Sequence, residues 1–296
     1  MNINIKARYT DWKFFNSKED AFDYIIDPDD TIIMHGGGNF GDIWRIHSEF
    51  RNKFIARFKN NKFVIFPQTI NYQNESLIQE DYNILLQNKN LYITTRCLDS
   101  QDFAKNKFPK IVSMYVPDPA FMLGPIKPLS APIYDILILR RTDKESKFQL
   151  PDWEQSYLEI LSFKYTYLDV DWFFFKEEKY LYMSNYYKDD YPIASPNTTI
   201  HIQEILNQRR VLVNRIISQG RIIVTDRMHA SIYGLLLGKV QIIVDDLYKK
   251  IFNTRESAFS DKFECRSEFL RSYYAFSPRD AIKKAVELLN SEEFFH

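Results

Sequence analysis

Short apolar runs alternate along the chain with longer stretches in which apolar residues recur every third or fourth position. The run TIIM (31–34) predicts a strand, and Ile43, Ile46, Phe50, Phe54 and Phe58 after it mark one face of a helix over 42–58. KFVIFP (62–67) predicts a short strand stopped by Pro67. A helix capped by Ser76 runs to Leu86, and LYITT (91–95) follows as a strand. A short helix over 100–107 then leads into IVSMYVPD (111–118), again strand-like. The alternation returns further on, with strands at 134–140, within 165–175, at 221–226 and at 240–246. Helices are predicted over 201–218 and 227–237, and Ser277-Pro278 opens a terminal helix to Leu289, with Pro where its missing N–H is harmless. The charged, Tyr-rich stretch 176–191 predicts no element.

Strands alternating with helices imply parallel sheets covered by helices, an α/β fold. GPIKPLSAP (124–132), with three prolines in nine residues, separates the two alternating halves. The expected domains are therefore 1–126 and 133–296, with the terminal helix free to cross back. Two open α/β domains joined in this way predict a ligand cleft between them, at the carboxyl ends of their strands.

Composition narrows the function classes. Of 296 residues, 45% are hydrophobic and 16% aromatic, enough for packed cores rather than disorder. Lys+Arg and Asp+Glu balance at 39 each, which argues against a nucleic-acid partner. The opening MNINIKARYTDWKF lacks an apolar signal core, and no apolar run is long enough to span a membrane, so a cytoplasmic protein is expected. Cys97 and Cys265 show no CxxC spacing, so neither a disulfide framework nor a metal site is expected.

Candidate chemistry gathers in three places. MHGGGNFGDIW (34–44) holds four of the chain's eight glycines. Between a strand and a helix, such a turn offers bare main-chain N–H groups to an anion or a polar ligand; a tight turn with no ligand is the plainer alternative. It lacks the GxGxxG spacing, no GxxxxGK[ST] occurs, and an esterase-like reading of HGGG would need a GxSxG that the chain does not contain. In IIVTDRMHASIYGLLLGK (222–239), Asp226 can cap the helix that follows, and His229 can move a proton. Arg227 opposes the positive end of that helix, which makes sense if both meet an anion. In LILRRTDKES (137–146), Arg140 and Arg141 end a strand, with Asp143 and Glu145 behind them. Guanidinium forks suit a carboxylate or a phosphate, whereas a solvated basic corner would carry no ligand.

GGGNFGDIW, FPQTI, VPDPAF, RRTDKE and TDRMHASIYGLLLGK, in this order from about Ile33 to Lys250, make the chain resemble the polysaccharide pyruvyl transferases. It is most similar to their exopolysaccharide and capsule branch. The resemblance implies a GT-B-like fold, two Rossmann-like doubly wound domains facing a cleft. It implies transfer of the carboxyvinyl unit of phosphoenolpyruvate to a sugar as a pyruvate ketal, with phosphate released. Phosphoenolpyruvate is then a co-substrate, and neither cofactor nor metal is expected.

By the same resemblance Arg227 and His229 meet the donor, with Arg140 or Arg141 (Arg141 favoured) and Lys250 beside them. His229 is the expected acid/base, with Asp226 or Asp143 orienting it or an arginine. The acceptor sugar is expected against Gly36, Gly37, Gly38, Asn39, Asp42, Trp44 and Gln68. Polyprenyl-linked acceptors, common in the family, would bring the protein to the inner face of the membrane. Ala230, Ser231 and the LYKK following VDD depart from the family pattern and bear on the acceptor more than on the reaction. The first rival is a glycosyltransferase using a nucleotide-sugar donor, which shares the two-domain plan. The second is a sugar-binding module without catalysis.

Overall fold

The computed structural model describes residues 26–171, 207, 209–246, 248–259 and 271–291. Within them the chain forms two compact α/β units. The first takes residues 26–119 with 252–259, the second 120–251 with 271–291.

In the first unit, β1 (Thr31–Met34) and β2 (Gly37–Gly41) lie one after the other along β3 (Lys62–Asn71). Next to β3 come β4 (Leu91–Thr95) and β5 (Val112–Tyr115), all pairings being parallel. Helices α1 (Arg45–Arg57), α2 (Glu75–Leu85) and α3 (Leu98–Lys107) make the crossovers. Phe50 and Phe54 of α1 and Leu85 of α2 bury against Phe63, Ile65, Leu91 and Ile93 of the sheet. The residues of 252–259 join this unit at α3, where Ser257 Oγ accepts the Leu98 N–H at 2.9 Å. Asn253 Nδ2 also donates to Asp99 there, at 2.6 Å.

Two expectations change in this unit. Pro67 does not stop its strand: β3 runs on to Asn71, because Pro67 falls at a register irregularity between Ile65 and Gln68, where the missing N–H leaves no gap in the ladder. The cap of α2 is Asn74, whose side chain accepts from Ser76 N, rather than Ser76 itself.

The second unit holds β6 (Tyr134–Leu139), β7 (Tyr167–Val170), β8 (Gly220–Thr225), β9 (Val240–Val244) and β10 (Ser272–Ala275). They form one parallel sheet ordered β10-β9-β8-β6-β7. Its strands are apolar without interruption because both faces are covered. Ile136, Ile138, Ile222, Val224 and Ile242 pack towards α4 (Leu150–Ser162) and α8 (Pro278–Asn290). Leu137, Leu139 and Ile223 face α5 (209–218) and Ala230 of α6 (Met228–Leu236). Each such side chain, fully buried, is worth roughly 1.5–3 kcal/mol. Helix α7 (Lys250–Ala258) follows β9.

Strand order reverses at β6 in the second unit, which is therefore doubly wound. Among the described residues of the first unit the strands step in one direction only, so the doubly wound order expected of both halves occurs in one. The Pro-rich stretch 124–132 lies along the second unit. Ile126 N donates to Leu236 O at 2.7 Å, Leu129 N to Asn214 Oδ1 at 3.1 Å, and Asn214 Nδ2 to Lys127 O at 2.9 Å. The units accordingly divide between Pro119 and Ala120. Helix α8 stays in the core of the second unit, and it is 252–259 that returns to the first. The stretch 176–191 and residues 201–206 of the expected helix lie outside the described residues, as does Cys265.

Candidate functional site

Open α/β sheets hold ligands beyond the carboxyl ends of their strands, where strand order reverses. In the second unit that point lies between β6 and β8, and two of the candidate stretches leave the sheet there: Arg140–Asp143 after β6, Asp226–His229 after β8.

The two neighbouring arginines part company. Arg140 turns to β7, its Nε 2.9 Å from both oxygens of Asp169, which also accepts from Tyr157 OH at 2.6 Å. Arg141 turns to the reversal point. Its Nε and Nη2 each donate to Asp143 at 3.0 Å, and Nη1 stands 3.3 Å from Glu145 Oε2. Arg227 reaches the same place from β8, its Nη2 3.4 Å from Asp143 Oδ2 and paired with Asp171 Oδ1. Asp171, just past β7, is itself held by the Thr142 N–H at 3.0 Å and hydroxyl at 2.5 Å. Lys250 of α7 forms a buried ion pair with Glu145. The structure thus joins Arg141, Arg227 and Lys250, and leaves Arg140 with Asp169.

Arg227 is the N-cap of α6, its own N–H going to Thr225 Oγ1 at 2.9 Å. The expected capping by Asp226 does not occur. Asp226 Oδ1 instead accepts the main-chain N–H of Arg141 at 2.7 Å, because the side chain after β8 points across to β6 rather than into the helix. Burial lifts the Asp226 carboxyl to about 6, against the opposing pull of that N–H and of Arg227 and Arg141. Burial would also raise Asp143, but the bond and charge of Arg141 outweigh it and hold that carboxyl below its usual range. His229 lies in the first turn of α6 and is exposed. Arg141 and Arg227, already paired with carboxylates, meet a helix N-terminus and an exposed imidazole here, groups that suit a small anion able to displace part of that pairing.

In the first unit the glycine run is a strand rather than a turn. A β-carbon on Gly36 would meet Pro67 O at 2.7 Å, and one on Gly41 would meet Asn71 O at 1.7 Å. These two glycines let β2 lie tight against β3. Gly37 differs: its φ is +136° and nothing lies within 4 Å of where a β-carbon would stand. Gly38 follows within β2.

The polar residues expected on the acceptor side are largely engaged with the protein. Asn39 Oδ1 accepts from buried Arg51 at 3.0 Å, and Asp42 accepts the Gln73 and Asn74 N–H groups, the latter at 2.7 Å. Gln68, fully buried, donates to His35 O at 2.8 Å. Trp44, half-buried, is the N-cap residue of α1.

Sequence reasoning missed Asp171, Arg51 and Ser48. Arg51 lies 4.3 Å over the Phe40 ring, and burial lowers its guanidinium to about 10. Ser48 Oγ accepts the Gly41 N–H at 3.1 Å and donates to Gly41 O at 2.7 Å. An acid directly after a strand, and Ser and Arg three apart on a helix, were the available signals. Among the described residues no three His, Cys, Asp or Glu side chains group as metal ligands, and no helix is long and apolar enough to cross a membrane.

An α/β protein with a network of ion-paired arginine, lysine and carboxylate side chains at the reversal point of a doubly wound sheet is the class that fold and site define. The chain belongs to the polysaccharide pyruvyl transferase family, which it matches over residues 2–246. It is 29% identical over 221 residues to Pyruvyl transferase 1 of Schizosaccharomyces pombe, covering 73% of this chain and 51% of that protein. It is also 29% identical over 230 residues to the putative pyruvyl transferase EpsO of Bacillus subtilis, covering 77% and 69%. The chain thus spans about half the length of the first relative and about two thirds of the second. A solved structure of a functionally uncharacterised Klebsiella pneumoniae protein superposes with a TM-score of 0.50 at 19% identity, over 84% of this chain and 76% of that one. It shares the mixed α/β fold.

Proposed function

We propose that this chain is a pyruvyl transferase that moves the carboxyvinyl unit of phosphoenolpyruvate onto a sugar of an exopolysaccharide or capsule precursor. The product is a pyruvate ketal and the by-product inorganic phosphate. The observation that carries the reading is the meeting of Arg141 and Arg227 at Asp143, beyond β6 and β8, with the N-terminus of α6 beside them. Phosphoenolpyruvate bears a carboxylate and a phosphate, and two guanidinium groups with a helix N-terminus match that charge.

His229 delivers a proton to the methylene carbon of the donor, which makes the adjacent enol carbon electrophilic. A sugar hydroxyl attacks that carbon, a second closes the ketal, and phosphate leaves. Positioned proton transfer of this kind contributes roughly 10²–10⁴-fold. Asp143 orients the two arginines. In a GT-B-like arrangement the acceptor lies along the glycine strand of the first unit, with Gly37 giving it open backbone. The protein acts in the cytoplasm, at the membrane face when its acceptor is polyprenyl-linked.

The test offers phosphoenolpyruvate and nucleotide sugars to the purified protein, each with synthetic and lipid-linked galactosides and mannosides. Phosphate release and a thermal shift with phosphoenolpyruvate alone are expected. A thermal shift and turnover with a UDP- or GDP-sugar instead would replace this reading with a glycosyltransferase.

A further inference from the structure

At the reversal point of the second unit, most carboxylates hold a cation. Asp143 is shared by Arg141 and Arg227, Asp171 pairs with Arg227, and Glu145 pairs with Arg141 and Lys250. Further out, Arg140 pairs with Asp169 and Lys147 with Asp245. Asp226 differs. It makes no salt bridge among the described residues; Oδ1 takes the Arg141 N–H at 2.7 Å, and Oδ2 is buried without a hydrogen-bond partner.

Charge is therefore unevenly balanced before any donor arrives. Arg141, Arg227 and Lys250 face Asp143, Glu145, Asp171 and Asp226, which leaves the network one negative charge in excess. Phosphoenolpyruvate adds a carboxylate and a phosphate that is mostly dianionic above pH 6. Negative charge brought into a sparsely hydrated site disfavours ionisation of the carboxyls already there, and protonating one of them relieves it. Asp143 is partly exposed and keeps two guanidinium partners. Burial raises Asp246, just past β9, but its two oxygens accept the Lys250 and Ile251 N–H groups at 2.7 and 3.1 Å. Asp226 is only 1% exposed, so water screens it little, and a proton on Oδ2 would break no existing bond.

We infer that binding of phosphoenolpyruvate draws a proton from solvent onto Asp226 Oδ2, an inference that rests on the pyruvyl-transfer reading and concerns the second unit alone. The proton leaves water or buffer and forms one O–H bond, and no bond of the donor breaks. Burial lifts this carboxyl to about 6 in the free protein, so at pH 7.5 it starts ionised and gains the proton as the donor arrives. The donor phosphate works in the opposite sense, because guanidinium groups favour its deprotonated form. His229, exposed at the start of α6, can also gain a proton beside an anion, so the experiment removes it.

Calorimetry of phosphoenolpyruvate binding to His229→Gln at pH 7.5, run in PIPES and in Tris, reads the protons exchanged, because the two buffers differ in heat of ionisation. Uptake of about 0.5–1 proton per donor is expected, with affinity falling by up to about tenfold per pH unit as pH rises. Asp226→Asn in the same background keeps an oxygen for the Arg141 N–H and cannot ionise. It should bring the uptake close to zero and flatten the pH dependence of affinity. No uptake in His229→Gln overturns the inference. So does uptake that survives Asp226→Asn, which would place the proton on another group such as Asp143 or Asp246. Where His229→Gln does not fold by circular dichroism, wild type and Asp226→Asn are compared directly, and the same difference of about 0.5–1 proton is required. Should Asp226→Asn fail to fold, Asp226→Ser decides in its place. A wild-type protein that binds no phosphoenolpyruvate would overturn the pyruvyl-transfer reading itself, and the proton uptake along with it.

Discussion

The main-chain N–H of Arg141 donates to Asp226 Oδ1 at 2.7 Å, so the chain leaving β6 is tied to the chain leaving β8 by a buried carboxyl. Its other oxygen, Oδ2, is buried with no hydrogen-bond partner among the described residues. Burial lifts this carboxyl to about 6. A raised carboxyl favours the fold while protonated: that contribution is complete below the unfolded value of about 4 and is lost as pH rises through the folded value. The wild-type protein should therefore lose stability as pH climbs through that interval. Asp226→Asn keeps an oxygen for the Arg141 N–H and cannot ionise. It should flatten the profile and gain at most about 3 kcal/mol at neutral pH. Denaturant melts across the interval would measure this, and an unchanged slope would assign the dependence to another group.

Arg141 and Arg227 should each matter to donor binding, and Arg140 should not. Losing a charge-assisted bond to a buried anion costs roughly 1.5–3 kcal/mol, or about ten- to a hundredfold in affinity. Calorimetry with phosphoenolpyruvate should show that loss for Arg141→Ala and for Arg227→Ala. Arg140→Ala should bind donor like the wild type but melt earlier, because it strips Asp169 of its guanidinium partner. Weakened binding in Arg140→Ala alone would mean that the other member of the pair meets the donor.

For His229 the test separates chemistry from binding. His229→Gln retains hydrogen-bonding capacity without the acid, so kcat should fall about 10²-fold or more while donor affinity changes little. A binding role would reverse the pattern. Retained kcat in the folded variant would move the acid elsewhere, with Asp226 the next group to test.

The glycines of β2 should answer differently. Gly41→Ala drives a methyl group into Asn71 O and should abolish soluble folded protein. Gly37→Ala meets nothing and should cost only the strain of a positive φ, about 1–3 kcal/mol. Gly38→Val should leave most of the fold intact and raise the acceptor KM. Melting temperatures and acceptor kinetics would rank the three, and wild-type kinetics for Gly38→Val would remove that position from the acceptor path.

Much of this architecture is legible in the sequence because a strand covered on both faces must be apolar throughout, and VQIIV and YDILIL are nearly so. Helix α4 is not legible for the opposite reason. Its buried positions are Trp153, Ser156 and Ile160, while Leu150, Leu158 and Leu161 face outward, so its apolar period is blurred. The short β10, with Tyr273 and Tyr274 both exposed, has the same difficulty. At the site, residue types and their places at strand ends can be read off the chain, and so Arg227 and Arg141 stand out. Their partners cannot: Asp171 reaches Arg227 from a strand on the far side of β6. The separate fates of Arg140 and Arg141 follow from which way each side chain leaves the end of β6, a matter of about one peptide's rotation that composition does not encode.

Asp143 is common property of two arginines. Removing either one frees part of that carboxylate to hold the other more firmly, away from any incoming anion. The worth of Arg141 is therefore conditional on Arg227, and losses in the single variants should not sum in the double one. Evolutionary drift at this spot is constrained in the same way. A change at one arginine alters the selective value of the second, so the pair and its shared acid should be gained, kept or lost as a set.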